Sequence, residues 1–410
     1  MKIFARSFHA SAARCALAGE QVYILGAART PTGRFNGALK PVSAIQLGVT
    51  AVRAAVARAG ITVDRLGDVQ EVYIGQVIQA GCGQSPARQV TLGAGFPVST
   101  DSTTVNKVCS SGLKAVMFAS QNIQTGTAQL MVAGGMESMS NTPFYVPRGQ
   151  VYGNFTVKDS VLNDGLWDAY GDYHMGICAE NTVKNYGLTR EDQDAYALES
   201  YKRAIAALDS GAFAEEIAPV EITARGKTIT VTEDEEPRAA KLDKLATLRP
   251  AFLGPKEGTV TAGNASPLSD GASAIVLASE SAVKTGKYAA PLARIVSYAD
   301  AATAPIDFTI APSLSIPLAL ERAGLEISDI AKFEINEAFA AVSLANQTIL
   351  GLDPAKVNVN GGAVALGHPI GSSGCRILVS LIHVLKPGEF GVAALCNGGG
   401  ASSAVVIQKI

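Results

Sequence analysis

The stretch Asn106-Lys-Val-Cys-Ser-Ser-Gly-Leu-Lys114 decides the fold, because its Ser-Ser-Gly returns at residues 372–374, about 260 residues later. Each Ser-Ser-Gly precedes an apolar run, which predicts a helix at both places. Two further pairs of segments recur in the same order at that offset: residues 58–75 against 322–336, and residues 132–135 against 395–398. An offset shared by three matches predicts an internal repeat of two similar halves, residues 20–137 and 259–410.

The first half alternates short β-rich runs with helical patterns. The predicted strands are residues 21–26, 71–74, 102–105 and 129–133, and the predicted helices are residues 44–59 and 111–125. Alternation of this kind predicts a mixed α/β layer architecture.

Residues 138–258 fit neither half and are predicted to form an inserted loop domain on the surface of the duplicated core. They contain Trp167, a polar helical pattern from Thr189 to Leu208, and the acidic run 233–236. Thr189 followed by Asp192 is typical of a helix start. We interpret the acidic run as a solvated edge rather than a binding element.

The composition excludes several classes of protein. The 410 residues include 34 Lys plus Arg against 36 Asp plus Glu, a net charge of -2, so no extended positive field is available to hold nucleic acid. Hydrophobic residues make up 48% of the chain, which is enough to bury several cores. No membrane span is predicted, because the uncharged stretch 357–375 is rich in Gly and also holds Asn, His and Pro. The six Cys contain no Cys-x-x-Cys, which favours reduced thiols over disulfides or a zinc site.

Residues 1–19 are basic and free of acidic side chains. They carry Lys2, Arg6 and Arg14, and the first acidic residue is Glu20. A basic, Ser/Ala-rich, acid-free segment is typical of a mitochondrial transit peptide, so we expect the protein in the mitochondrial matrix. The alternative is an ordinary N-terminal segment.

Cys109 is the first candidate catalytic residue. It is predicted to lie at a strand end, directly before a helix whose N-terminal N–H groups point back at it. Such an end stabilises a thiolate, so we expect a lowered thiol pKa and a nucleophilic role. The alternative is a buried thiol that only packs, which is the commonest fate of a free cysteine.

The second half supplies an imidazole, a second thiol and an amide. His368 is held in a glycine-dense turn at the equivalent strand-to-helix junction, and an imidazole can take a thiol proton and return it. Cys396 precedes three glycines, whose N–H groups can receive an oxyanion, and it can serve as a second acid or base. Asn336, at the repeat position of the strand 71–75, can fix a water or an acyl oxygen.

These motifs resemble those of the thiolases, the acyl-CoA C-acetyltransferases, from about residue 20 to residue 410. The motifs are NKVCSSGLKAV (106–116), NEAFA (336–340), GGAVALGHPIGSSG (361–374) and CNGGGASS (396–403). The tracts at residues 173–176 and 258–266 are most similar to the mitochondrial acetoacetyl-CoA type. The resemblance implies a thiolase fold, with two duplicated α/β halves in a layered αβαβα arrangement, and an inserted domain that contacts coenzyme A.

The resemblance also implies a role for each site residue. Cys109 would be the nucleophile, His368 its base, and Cys396 the acid or base at the carbon of acetyl-CoA. Asn336, through a water, and His368 would form one oxyanion hole, and the N–H groups of Cys109 and Gly398 would form the other. The reaction would be the reversible condensation of two acetyl-CoA molecules to acetoacetyl-CoA and CoA.

Further site residues follow only from the resemblance. The residues implied to contact coenzyme A or the acyl group are Leu166, His174, Met175, Tyr201, Lys244, Phe252, Ala262 and Ser266. A potassium ion near the coenzyme A loop would use Tyr201, Ala262, Gly263, Ala265 and Val364, mostly through carbonyl oxygens. The family also implies a homotetramer, with the inserted domain as the tetramer contact.

Two other functions compete with this interpretation. A decarboxylating or hydroxymethylglutaryl-type condensing enzyme would share the core and the nucleophile, but it would carry His or Glu at the position of Cys396. A catalytically silent subunit that binds coenzyme A would form no acetyl-enzyme on Cys109.

Overall fold

The structure is a computed structural model that describes residues 19–149, 152–224 and 226–410. The predicted transit segment, residues 1–19, lies outside the described residues except for Gly19. The first half contains, in chain order, β1 (Val22–Arg29), β2 (Gly33–Arg34), α1 (Ala44–Arg58), β3 (Glu71–Gly75), α2 (Pro86–Ala94), β4 (Asp101–Val105), α3 (Ser111–Gln124) and β5 (Leu130–Ser138). All four predicted strands and both predicted helices of this half are present.

The inserted segment is mostly short elements around two longer helices. It contains β6 (Phe144–Tyr145), β7 (Lys158–Asp159), β8 (Trp167–Asp168), β9 (Tyr173–His174), α4 (Met175–Tyr186), α5 (Arg190–Ser210), β10 (Val220–Ala224), β11 (Lys227–Val231) and α6 (Glu236–Ala239). The predicted polar helix is α5. Its start is as predicted, because Asp192 N–H donates to Thr189 Oγ1 at 3.0 Å and Thr189 N–H donates to the Asp192 carboxylate at 2.8 Å.

The rest of the chain completes both halves. It contains β12 (Ser269–Ser279), α7 (Glu280–Lys284), β13 (Ala293–Ala302), α8 (Pro312–Ala323), β14 (Ile330–Ile335), α9 (Ala340–Leu350), α10 (Ala363–Leu366), α11 (Ser373–Val384), β15 (Phe390–Asn397) and β16 (Ala401–Lys409). Along the part of the chain that the structure describes, no helix combines the length and the apolar character that crossing a membrane requires.

Nine strands form one continuous sheet in the order β14-β15-β16-β13-β1-β12-β5-β3-β4, and β2 pairs with β12 beside this path. In the inserted segment β6 and β7, β8 and β9, and β10 and β11 form separate pairs. Strands β1 and β13 join its two parts through three residue pairs only, Val22–Ile24 against Ala293–Ile295. Strand β12 lies between β1 and β5, in the part built from the first half. The predicted boundary at residue 259 would place β12 in the second half, whereas its pairing favours a boundary after Ser279.

The layers follow the predicted repeat. Helices α1 and α2 pack on the outer face of the first part of the sheet, and α8 packs on the outer face of the second part. Helices α3 and α11, which begin at the two Ser-Ser-Gly motifs, contact each other between the two parts. Buried side chains fill each interval, and the largest cluster surrounds α3 and α11. This order of layers is the αβαβα arrangement.

Glycines permit the close crossing of α3 and α11. A Cβ on Gly374 would lie 2.5 Å from the Leu113 nitrogen, and a Cβ on Gly112 would lie 2.9 Å from the Gly371 carbonyl oxygen. Both neighbours are backbone atoms, which cannot rotate away. The glycine is therefore repeated because the starts of the two helices meet at this crossing. The crossing also brings together the motifs that precede the two helices.

We expect Gly374→Ala to destabilise the protein by about 1–3 kcal/mol, the usual range for overpacking a core. Unfolding by urea, followed by circular dichroism, measures this as a lower midpoint. Gly254→Ala is the control, because no atom lies within 4 Å of its added Cβ. Equal midpoints for the two variants would show that the crossing tolerates a methyl group.

Candidate active site

Cys109 lies in a strained turn between β4 and α3. The residue before it, Val108, has a φ of 49°, which is rare for a β-branched residue. Two hydrogen bonds hold this turn: Val108 N–H donates to Asn106 Oδ1 at 2.9 Å, and the Ser111 hydroxyl donates to the Val108 carbonyl at 2.6 Å. The turn fixes Cys109 at the start of α3, as predicted.

The prediction of a lowered thiol pKa for Cys109 is wrong. Burial raises the pKa of the Cys109 thiol to about 11. The N–H groups of Gly398 and of Cys109 itself act on the sulfur in the opposite direction, but desolvation is the larger effect. The thiol is therefore protonated at rest and needs a base at the moment of attack.

His368 is the candidate for that base, because it lines the same cavity as Cys109. The residue is 5% exposed. The backbone N–H of His368 lies 3.3 Å from both the Pro267 carbonyl oxygen and Ser269 Oγ. Burial lowers the pKa of His368 to about 3, and the charge of Arg376 adds to this effect. The imidazole is therefore neutral. Its two ring nitrogens have different neighbours: Nε2 lies 3.5 Å from Asn336 Nδ2, and Nδ1 lies 2.6 Å from Ser373 Oγ, a partner that the sequence analysis missed.

Cys396 lies near the end of β15 and is fully buried. Burial holds the pKa of the Cys396 thiol well above its usual range, and a negative charge on Cys109 raises it further, which places the two thiols within electrostatic reach of each other. The next residue, Asn397, accepts a hydrogen bond of 2.9 Å from the hydroxyl of Ser110, the N-cap of α3. This bond ties the glycine loop of the second half to the nucleophile turn of the first.

A cavity of ≈390 Å³ opens beside these residues, with Cys109, His368 and Gly398 in its wall. Six of the predicted coenzyme A or acyl contacts also line it: Leu166, His174, Met175, Phe252, Ala262 and Ser266. Several apolar lining residues were not predicted from the sequence, among them Met139, Phe308, Phe339 and Ile370. Their roles toward a substrate stay predictions, but their position shows a largely apolar chamber that ends at the turns of Cys109 and His368.

Stacked aromatic rings form part of the cavity wall. His174 stacks on Phe252 with ring centroids 4.6 Å apart, and Phe252 meets Phe339 edge-on at 6.2 Å. His174 Nδ1 accepts a hydrogen bond of 3.0 Å from Gly176 N–H, so the ring proton is on Nε2. Burial lowers the pKa of His174, which keeps this ring neutral as well.

Of the other predicted residues, Ala265 also lines the cavity, whereas the lining does not include Asn336, Cys396, Tyr201, Lys244, Gly263 or Val364. Asn336 is buried behind His368, and its Oδ1 has no hydrogen-bond partner among the described residues. Tyr201 and Val364 are buried together in a cluster on α5 and α10. Lys244 is exposed on a short 3₁₀ segment, Leu242–Thr247. Within the described ranges no group of His, Cys, Asp and Glu could hold a metal ion.

A duplicated α/β core that brings a thiol and an imidazole to one apolar chamber, with a second thiol and an amide buried beside them, is typical of enzymes that work through a covalent thioester. The family model for the thiolase N-terminal domain matches residues 22–281, and that for the thiolase C-terminal domain matches residues 289–409. The chain belongs to the thiolase family.

Similar proteins cover almost the whole chain. An acetyl-CoA acetyltransferase of Yarrowia lipolytica is 61% identical over 389 residues, which are 95% of this chain and 96% of that protein. A mitochondrial acetyl-CoA acetyltransferase of Bos taurus is 52% identical over 392 residues, 95% of this chain and 92% of that protein. The crystal structure of an Ascaris suum thiolase, Acat5, in complex with coenzyme A has a TM-score of 0.92 and 47% identity, and covers 95% of this chain and 100% of that one.

Proposed function

We propose that this chain is an acetyl-CoA C-acetyltransferase, which condenses two acetyl-CoA molecules to acetoacetyl-CoA and CoA and catalyses the reverse thiolysis. The observation that carries the proposal is the convergence of Cys109, His368 and Gly398 on one apolar cavity, with Cys396 and Asn336 directly behind. The relatives named acetyl-CoA acetyltransferase and the thiolase bound to coenzyme A support it.

Thiolysis begins with attack of Cys109 on the 3-keto carbon of acetoacetyl-CoA. A separate proton transfer from the thiol, with a pKa of about 11, to His368, with a pKa of about 3, is strongly unfavourable in the empty site. The transfer therefore accompanies formation of the sulfur–carbon bond. The negative charge moves to the former keto oxygen, where the N–H groups of Cys109 and Gly398 stabilise it.

The intermediate then splits into acetyl-Cys109 and the enolate of acetyl-CoA. His368 and Asn336, the latter through a water, hold the enolate oxygen, and Cys396 donates its proton to the carbon. In the second half-reaction, the thiol of CoA gives its proton to the Cys396 thiolate and attacks the acetyl group. Cys109 leaves as a thiolate and recovers the proton from His368, so the enzyme returns to its starting state.

A potassium ion beside the cavity is part of the proposal. No hydrogen bond from the described residues reaches the carbonyl oxygens of Ala262, Gly263, Ala265 or Val364. The Tyr201 side chain is buried beside Val364 in the cluster on α5 and α10. Neutral oxygen donors of this kind suit a weakly held monovalent cation. Since Ala262 and Ala265 line the cavity, the ion would hold the loop 261–266 in place for coenzyme A.

We expect CoA-dependent cleavage of acetoacetyl-CoA that is faster in potassium than in sodium buffer of equal ionic strength. Tyr201→Phe removes one oxygen donor and should reduce the difference between the two buffers, whereas Tyr186→Phe, on an exposed tyrosine at the end of α4, should retain it. Absorbance of the magnesium enolate of acetoacetyl-CoA follows the reaction. Equal rates in both buffers would remove the cation from the proposal and leave the reaction standing.

The proposal extends to location and assembly. The mitochondrial relatives and the basic residues 1–19 support a place in the mitochondrial matrix. The inserted segment exposes Phe144, Phe155 and Trp167, an apolar surface of the kind that copies of a chain cover. The assembly would be a homotetramer, which the mass in solution tests.

A further inference from the structure

The side of His368 that faces away from Asn336 forms a hydrogen bond with Ser373. His368 Nδ1 lies 2.6 Å from Ser373 Oγ, and the same Oγ lies 3.0 Å from the carbonyl oxygen of Pro369. Ser373 is fully buried, and it is the first residue of α11, so the helix fixes the hydroxyl relative to the ring. The Ser373 hydroxyl therefore has two hydrogen-bond partners but only one proton to donate.

Two contacts favour one direction for these hydrogen bonds. A carbonyl oxygen can only accept, and the Ser373 hydroxyl lies 3.0 Å from that of Pro369, so this bond has the hydroxyl as its donor. On the other side of the ring, Asn336 Nδ2 can only donate, and it lies 3.5 Å from Nε2. Both contacts fit a ring with its proton on Nδ1 and a lone pair on Nε2.

We infer that Ser373 is a positioning residue, which holds His368 in the tautomer whose Nε2 accepts the proton of Cys109. The inference rests on the proposed function, in which His368 is the base. A hydroxyl orients the ring without placing a negative charge beside it. An imidazolium formed during attack is therefore not trapped by a carboxylate, and it returns its proton when Cys109 leaves.

The first measurement reads the tautomer directly. The ¹⁵N chemical shifts of the ring nitrogens distinguish a protonated Nδ1 from a protonated Nε2, and the chain has only four His, so the spectrum can be assigned with His368→Asn. We expect Nδ1–H in the parent protein and a mixture of tautomers in Ser373→Ala. A parent protein with the proton on Nε2 overturns the inference, whatever the enzyme's activity is.

The second measurement is kinetic. We expect Ser373→Ala to lower kcat for thiolysis about ten- to hundredfold with little change in KM, as for a lost hydrogen bond to a group that becomes charged. Ser373→Thr, which keeps the hydroxyl, should restore most of kcat. Ser372→Ala is the matched control, because that buried hydroxyl bonds Ser273 at 2.9 Å and does not contact His368.

The outcomes separate the two proposals. If Ser373→Ala costs no more than Ser372→Ala, the positioning role is wrong while the proposed reaction stands. If the parent protein cleaves no acetoacetyl-CoA, the proposed function fails and the tautomer measurement still decides the role of Ser373. If Ser373→Ala does not fold, the parent tautomer and the kcat of Ser373→Thr give the answer.

Discussion

Cys109→Ser should abolish turnover, with a loss of about 10⁴-fold or more, since removal of a nucleophile of this kind costs up to ~10⁶. A hydroxyl is a far weaker nucleophile than a thiol, and His368 is too weak a base to compensate, because burial lowers its pKa to about 3. Incubation with acetyl-CoA followed by intact mass measurement should show an acetyl group on the parent chain and none on Cys109→Ser.

Cys82→Ser is the control for this experiment. Cys82 is half-buried in a second cavity, away from the residues that line the active site, and burial raises its thiol pKa as well. Its replacement should leave both acetylation and turnover in place. An acetyl group retained on Cys109→Ser would contradict the assignment of the nucleophile. No acetyl group on the parent chain would favour a silent subunit that binds coenzyme A.

The duplicated layers could be predicted from the sequence because the constraint that produces them is local. The helices α3 and α11 both begin at Ser-Ser-Gly, because Gly112 and Gly374 each face the backbone at the start of the other helix. The same three residues therefore recur in both halves. A repeat imposed by the crossing of two helices is visible without knowledge of the rest of the chain.

Strand β12 could not be assigned in the same way. Its eleven residues are all buried, so they lack the alternation that marks a strand with one exposed face. The insertion also separates β12 from the strands with which it pairs by more than a hundred residues. Only the pairing with β1 and β5 places it in the first part of the sheet.

The site residues also differ in how much the sequence could predict about them. Cys109, His368 and Cys396 stand in motifs, and each motif predicts a side chain at a strand-to-helix turn or a strand end. The pKa of Cys109 depends instead on everything that packs around it, and burial outweighs the helix end that the sequence shows. Likewise, the role of Ser373 depends on the 2.6 Å distance to His368, and a count of residues cannot supply that distance.

Cys396→Ser should separate the two half-reactions. Cys109, His368 and the N–H group of Gly398 remain, and CoA can leave as a thiolate without a proton from Cys396, so acetyl-CoA should still acetylate Cys109 and release CoA. The acid or base at the carbon is lost, so thiolysis and condensation should fall about 10²–10⁴-fold. Exchange of the methyl protons of acetyl-CoA with deuterium from solvent, followed by NMR, should fall by the same factor.

Cys178→Ser shows whether such a loss belongs to Cys396 or to any buried thiol of the same cluster. Cys178 is fully buried on α4, packs in the cluster that contains Cys396, and burial raises its thiol pKa to about 12. Exchange should persist in this variant because the charge of Cys109 acts on the Cys396 thiol, whereas the charges that act on the Cys178 thiol are those of Asp168 and Asp307. If exchange persists in Cys396→Ser as well, the base at the carbon is His368, and one imidazole would have to act on both the thiol and the carbon. A single base holds only one proton at a time. His368 would therefore have to pass the Cys109 proton to the departing CoA before it could form the enolate on the acetylated enzyme.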